Sequence, residues 1–134
     1  FENPSSAKVA EITNDPAMNI NKGSIENGNL ILNQEIKFPL PAQLKHMPSG
    51  KYLVGIRATD LHLDEQGFNF DVDISEISGS ETFLHLHNDE VKCVATIEEV
   101  RTYEVNNRVK INFDLSKIYL FKESGELEHS PYKN

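Results

Sequence analysis

Along most of the chain apolar residues fall at every second position, the period of a strand with one buried and one wet face. Phe68, Phe70, Val72 and Ile74 alternate with Asn69, Asp71 and Asp73. Leu84 and Leu86 alternate with Phe83, His85 and His87, and Val91, Cys93, Ala95 and Ile97 repeat the pattern, as do Val109, Ile111 and Phe113. Turn-forming clusters separate the runs: Asp64-Glu65-Gln66-Gly67, Ser78-Gly79-Ser80, Asn88-Asp89 and Asn106-Asn107. Asn27-Gly28 between two apolar runs is a strong hairpin signal. A short segment at Ile36–Phe38 follows, and Pro39, Pro41 and Pro48 mark an irregular connection. Tyr52–Arg57 and Ile118–Phe121 read as further strands before a polar tail from Lys122. Many short strands and almost no internal helix predict an all-β fold: a small antiparallel Greek-key barrel, OB-fold-like, of about five strands.

The first residues break this rhythm. Asn3 before Pro4 is a helix start, and Thr13-Asn14-Asp15-Pro16 is a stop, so a short N-terminal helix is expected between them. Its apolar face is little more than Val9 and Ile12, too narrow for a helix to stand alone. The chain therefore divides into residues 1–19, a helix and linker that need something to pack on, and residues 20–134, the barrel. A chain that opens on Phe1 instead of Met is read first as a piece of a longer protein.

Composition narrows the chemistry. The 134 residues are 38% hydrophobic, which suits one globular domain. No apolar run approaches the eighteen or so residues of a membrane span, and no basic-then-apolar leader is visible. The net charge is −8 and the 13 Lys and Arg are scattered, so nucleic acid is not an expected partner. Cys93, alone and in apolar company, reads as a buried reduced thiol.

The search for reactive groups finds little. Gly50-Lys51 lacks the earlier glycine of a phosphate loop, and no nucleophile elbow or metalloprotease motif is present. His85 and His87 share a strand face without a third ligand at metal spacing, so no metal site is assigned. Glu98, Glu99 and Glu104 read as a solvated acidic edge that discourages strand pairing. Catalytic residues: none. Within Tyr52–Leu63, Gly55 suggests a bulge or the close approach of another backbone. Arg57, a charged fork ending an apolar strand, wants a carboxylate or carbonyls, with Asp60 in the following turn as the expected brace.

Four blocks in order give the chain a resemblance. Glu2–Ala10 with Pro16-Ala17-Met18-Asn19, Gly55–Leu61, Ile77–Thr82 and Phe113–Phe121 are similar to the blocks of the C-terminal OB-like (TOBE- or MOP-like) domain of ATP-binding subunits of bacterial carbohydrate-type ABC importers, the maltose and glycerol-phosphate importer ATPases. The chain departs from them at Ala58-Thr59, where Pro-Glu is usual, and at Tyr119, where His is common. The resemblance implies an accessory, regulatory and dimer-stabilising barrel serving sugar or glycerol-phosphate uptake. It implies a cytoplasmic location at the inner face of the bacterial membrane. Its partners would be its own ATPase domain, a second copy of the subunit, and membrane permease subunits through the parent. ATP and Mg would belong to the absent ATPase domain, and this fragment would hold no cofactor and be no enzyme. Gly55, Arg57, Asp60, Gly79, Ser80 and Glu81 become the structural or interface candidates.

Two alternatives come from other classes. A barrel sensing a small ligand, such as the substrate or an oxyanion, would need Arg57, Arg101 or Arg108 to converge. An OB-type nucleic-acid binder would need Phe68, Phe70 and Phe83 as exposed stacking platforms.

Overall fold

The alternating segments pair as antiparallel strands in two sheets. The computed structural model describes residues 5–7 and 18–131. In chain order the strands are β1 (Met18–Glu26), β2 (Asn29–Ile31), β3 (Lys37–Pro39), β4 (Gly50–Arg57), β5 (Leu61–Ser78), β6 (Glu81–Asn88), β7 (Val91–Ile97), β8 (Arg108–Phe113), β9 (Tyr119–Lys122) and β10 (Leu127–His129). One sheet runs β10-β9-β4-β1-β2-β3 and the other β7-β6-β5-β8. The architecture is small, all-β and OB-like, built from ten strands, several of them only three residues long. Among the described residues the helical elements are single 3-10 turns at Ala42–Leu44, Ala58–Asp60 and Leu115–Lys117, and Ala7 is also helical. The N-terminal helix expected between Asn3 and Pro16 lies almost wholly outside the described residues. The sheet takes in Met18 and Asn19, paired with Arg57 and Ile56, so the strand starts before the expected boundary at residue 20.

Turn chemistry sets the hairpins. Asn27 and Gly28 both take positive φ, 51° and 78°, as a two-residue loop that follows strand twist requires. Strand β6 shows the cleanest alternation, with Thr82, Leu84, Leu86 and Asn88 buried and the residues between them half-buried. Strand β5 corrects two expectations. The segment Asp64–Gly67 is not a turn between strands, because Leu63 and Phe68 both pair with Ile111 of β8. Residues 64–67 are a bulge thrown out of one continuous strand. Asp64 holds it, accepting from the Gln66 amide at 2.9 Å and from Asn112 Nδ2 at 3.2 Å. Further on, Val72 pairs with Leu86 but Ile74 pairs with His85, so Asp73 is an extra residue. A bulge exchanges the two faces of a strand. Phe70 and Val72 are therefore buried, whereas Ile74, expected on the same face, is 51% exposed.

The two sheets meet along a seam closed by side chains. Asn19 donates through Nδ2 to the Val94 carbonyl at 2.9 Å and accepts from the Val94 amide at 2.8 Å. Two residues along, Asn21 donates to the Lys92 carbonyl at 2.8 Å and accepts from the Lys92 amide at 3.1 Å. An asparagine side chain is itself a primary amide, so each mimics a peptide group of an additional strand. The strap from residue 98 to 107 is tied down in a similar way. Thr82 Oγ1 donates to the Glu99 carbonyl at 2.7 Å and accepts from the Arg101 amide at 3.0 Å. Ser75 Oγ donates to the Tyr103 carbonyl at 3.1 Å.

Between the sheets lies the main core, which includes Ile36, Ile56, Phe70, Val72, Leu84, Leu86, Ala95 and Ile111. A second cluster, with Leu30, Leu44, Val54 and Leu120, sits under the 3-10 turn at Ala42–Leu44. A third, smaller one forms on the outer face of the six-stranded sheet.

Candidate functional site

The outer cluster is where the Gly55–Arg57 stretch points. On β9, Leu120 faces inward and Tyr119 and Phe121 face out, so a strand buried on both sides results. Tyr119 and Phe121 join Met18 and Ala7, with Ile20, Leu53 and Leu127 partly buried around them. Gly55 stands beneath. A Cβ there would lie 2.6 Å from Met18 Sδ and 3.0 Å from Phe121 Cε1. Neither role expected for Gly55 describes it. The pairing with Ile20 and Tyr119 runs through it without a bulge, and side chains rather than backbone make the close approach.

Arg57 closes one end of this cluster. It is 8% exposed, its Nη2 donates to Tyr119 Oη at 3.2 Å, and its guanidinium carbon lies 5.4 Å from the Tyr119 ring centroid. The guanidinium thus meets both the phenol and the ring face of Tyr119. Asp60 is not an ion-pair partner of Arg57 in the described geometry. Burial pushes its carboxyl above the ordinary aspartate range, Asp114 adds to the rise, and Arg57 is the weakest of the neighbours acting on it.

Ala7 shows what the outer cluster receives. Its amide donates to the Gly125 carbonyl at 2.9 Å, Leu127 donates to the Ser5 carbonyl at 3.3 Å, and Ser6 bridges to Glu126. Residues that precede the barrel in sequence thus extend the six-stranded sheet past β10 and seat Ala7, 5% exposed, on the cluster.

The remaining candidates lie elsewhere. Gly79, with φ of 62°, and Ser80 make the exposed tip of the β5–β6 hairpin, and Glu81 pairs with Ser78. The structure does not bring them to Gly55 and Arg57. His85 and His87 each face a carboxylate: His85 Nε2 meets Glu76 at 2.5 Å and His87 Nδ1 meets Asp73 at 2.6 Å. No group of three metal-ligating side chains occurs among the described residues. Burial pushes the Cys93 thiol up to about 12, which keeps it protonated and unreactive at neutral pH. The three arginines that an oxyanion site would recruit diverge: Arg57 on Tyr119, Arg101 over Tyr103, Arg108 on Asp71 at 3.2 Å. Phe70 is 1% exposed and Phe68 packs edge-on against Phe38, so neither offers a stacking face.

The residues missed from sequence are Asn19, Asn21 and Ala7. Asn19 and Asn21 sit two apart on β1, a spacing visible in the chain, but their partners are 75 and 71 residues away.

No protein-family model matches the chain. Over 136 residues it is 26% identical to an uncharacterized ABC transporter ATP-binding protein, YcjV, of Escherichia coli O6:H1, covering 95% of this chain and 38% of that protein. Over 134 residues it is 25% identical to the sn-glycerol-3-phosphate import ATP-binding protein UgpC of Brucella abortus, covering 93% of this chain and 35% of that protein. The UgpC of Brucella suis matches to the same extent. The chain is thus similar to a part of ABC transporter ATP-binding proteins and spans less than two-fifths of their length. Among the described residues no helix is long and apolar enough to cross a membrane.

Proposed function

We propose that the chain is the C-terminal accessory barrel of an ABC importer's ATP-binding subunit, of the class serving sugar or glycerol-phosphate uptake, and that it helps hold two such subunits together at the inner face of the membrane. The observation that carries this is the outer cluster. Residues preceding the barrel are added to its sheet edge and packed on Tyr119, Phe121 and Met18. In this reading the domain that precedes the barrel is tied to the sheet edge at Gly125–Leu127 and to the cluster around Tyr119 and Phe121. The similarity to part of the ATP-binding proteins YcjV and UgpC supports this reading, in which the preceding domain is an ATPase that would hold ATP and Mg and meet the permease.

The barrel contributes position and no chemistry in this reading. The test is the dimer of the full-length parent. Removing residues 18–134 should weaken ATP-driven dimerisation in sedimentation, and Arg57→Met should weaken it less. Dimerisation and transport that survive the deletion unchanged would sink the scaffold role.

A further inference from the structure

We propose that Asn27 is a self-modifying site: its side chain closes on the Gly28 amide nitrogen to a cyclic imide when the β1–β2 hairpin opens, and the closed hairpin holds the reaction off. Asn27-Gly28 is the one Asn-Gly pair in the sequence. Glycine leaves the attacking nitrogen unshielded, because it has no Cβ to stand beside it. Both residues are exposed. Beyond its chain neighbours, no atom lies within 4 Å of where a Gly28 Cβ would stand. No hydrogen bond to the Asn27 carboxamide occurs among the described residues, so the backbone alone restrains it.

The chemistry needs only water. The Gly28 nitrogen gives its proton to hydroxide and bonds to Asn27 Cγ. The Cγ–Nδ2 bond breaks, and Nδ2 takes a proton from water and leaves as ammonia. Water then hydrolyses one of the two imide bonds to the Gly28 nitrogen. Cleavage at Cγ leaves an aspartate. Cleavage at the backbone carbonyl leaves an isoaspartyl link, in which the main chain runs through Cβ and Cγ. No oxidant or reductant enters.

The hairpin is the gate. The five-membered ring requires the Cα–Cβ bond of Asn27 and its C–N bond to Gly28 to be nearly eclipsed, which takes a strongly negative ψ. The φ values of 51° and 78° are those of a type I′ turn, in which ψ of the first central residue is about +30°. That ψ turns the Gly28 nitrogen away from the side chain. Rotating it breaks the pairing of Glu26 with Asn29 and the 2.9 Å bond from the Leu40 amide to the Gly28 carbonyl. It also disturbs the next pair, Ile25 and Leu30, both buried in the cluster under the Ala42–Leu44 turn. The two products then differ. Aspartate at position 27 keeps the loop, since it tolerates the left-handed region. The isoaspartyl link adds a main-chain atom to a two-residue loop whose length fixes the strand register. One product re-forms the hairpin and the other does not, so the chain keeps a covalent record of having opened. This inference does not depend on the transporter reading.

The test is timed incubation of the full chain at mildly alkaline pH, folded and in urea, with peptide mapping by mass spectrometry. The exchange of NH for O should appear first at Asn27. Its rate in urea should exceed the folded rate at least about tenfold, because a paired hairpin is open only a small fraction of the time. Leu30→Val, which loosens the hairpin, should raise the folded rate about fivefold and leave the rate in urea unchanged. Amide hydrogen exchange at Leu30 should be faster in the isolated isoaspartyl product than in the unmodified chain, and should match the unmodified chain in Asn27→Asp. The proposal is overturned by equal rates folded and in urea, by a mass change led by another asparagine, by an unchanged folded rate in Leu30→Val, or by unaltered exchange at Leu30 in the isoaspartyl product.

Discussion

Asn19→Ala is the sharpest perturbation of the seam. The side chain is 8% exposed and gives Val94 both of its partners on that edge, one bond at 2.9 Å and one at 2.8 Å. Alanine leaves an amide and a carbonyl of a half-buried residue without partners. Each should cost about 1–1.5 kcal/mol, so the total is about 2–3 kcal/mol. For a domain of this size that lowers the melting midpoint by about 6–12 °C. Asn21 makes the same two bonds to Lys92 in an exposed setting, where water replaces the lost partner. Asn21→Ala should therefore cost about 1 kcal/mol or less. Asn19→Asp keeps an acceptor for the Val94 amide but turns a carboxylate toward its carbonyl. It should exceed the alanine cost at pH 7 and fall below it once protonated, when the carboxylic acid can both donate to the carbonyl and accept from the amide. Urea unfolding followed by far-ultraviolet circular dichroism gives the energies, and amide hydrogen exchange at Val94 reports the seam itself. An Asn19→Ala loss below about 0.5 kcal/mol with Val94 exchange unchanged would refute the claim that the side-chain amides close the barrel.

Two further predictions rest on other parts of β5 and its neighbours. Gly67→Ala should destabilise by about 3 kcal/mol, at the upper end for overpacking, because its Cβ would lie 2.4 Å and 2.5 Å from the backbone carbon and oxygen of Ile111. Urea unfolding checks this, and a loss below about 1 kcal/mol would mean that the bulge relaxes freely. Asp60 has a carboxyl raised mainly by burial, so the folded state favours the proton and ionisation costs stability. That cost is absent below the ordinary aspartate value and grows as pH rises through the folded one. Asp60→Asn should match the parent near pH 3 (about a unit below the ordinary value) and exceed it in urea midpoint at pH 7. A difference that does not grow across this range would contradict it.

Much of the sheet was legible because period-2 patterning needs no distant information. Strands β6 and β7 bury the residues their alternation selects: Leu84, Leu86, Val91, Cys93, Ala95 and Ile97. What failed was reading through bulges. Ile74 continues the apolar alternation from Phe68, yet one extra residue at Asp73 turns it outward, and nothing local marks Asp73 as extra. Asp64–Gly67 carries real turn chemistry, but turn residues serve a bulge as readily as a hairpin. The pairing of Leu63 and Phe68 with the same residue of β8 decides between them. At the outer face, Gly55 and Arg57 stood out as a glycine and a charge in an apolar strand. Their purpose was hidden because Tyr119 is 62 residues from Arg57 and Ala7 lies far upstream of the strand.

A main-chain ladder is available to every sequence alike, and only a change to proline removes a donor from it. The line between β1 and β7 is different, since Asn19 and Asn21 supply its pairing from side chains. Closure of this barrel is therefore a heritable, mutable character. Losing both side-chain amides would remove these four hydrogen bonds from the line between β1 and β7 while leaving the main-chain ladder of each sheet in place.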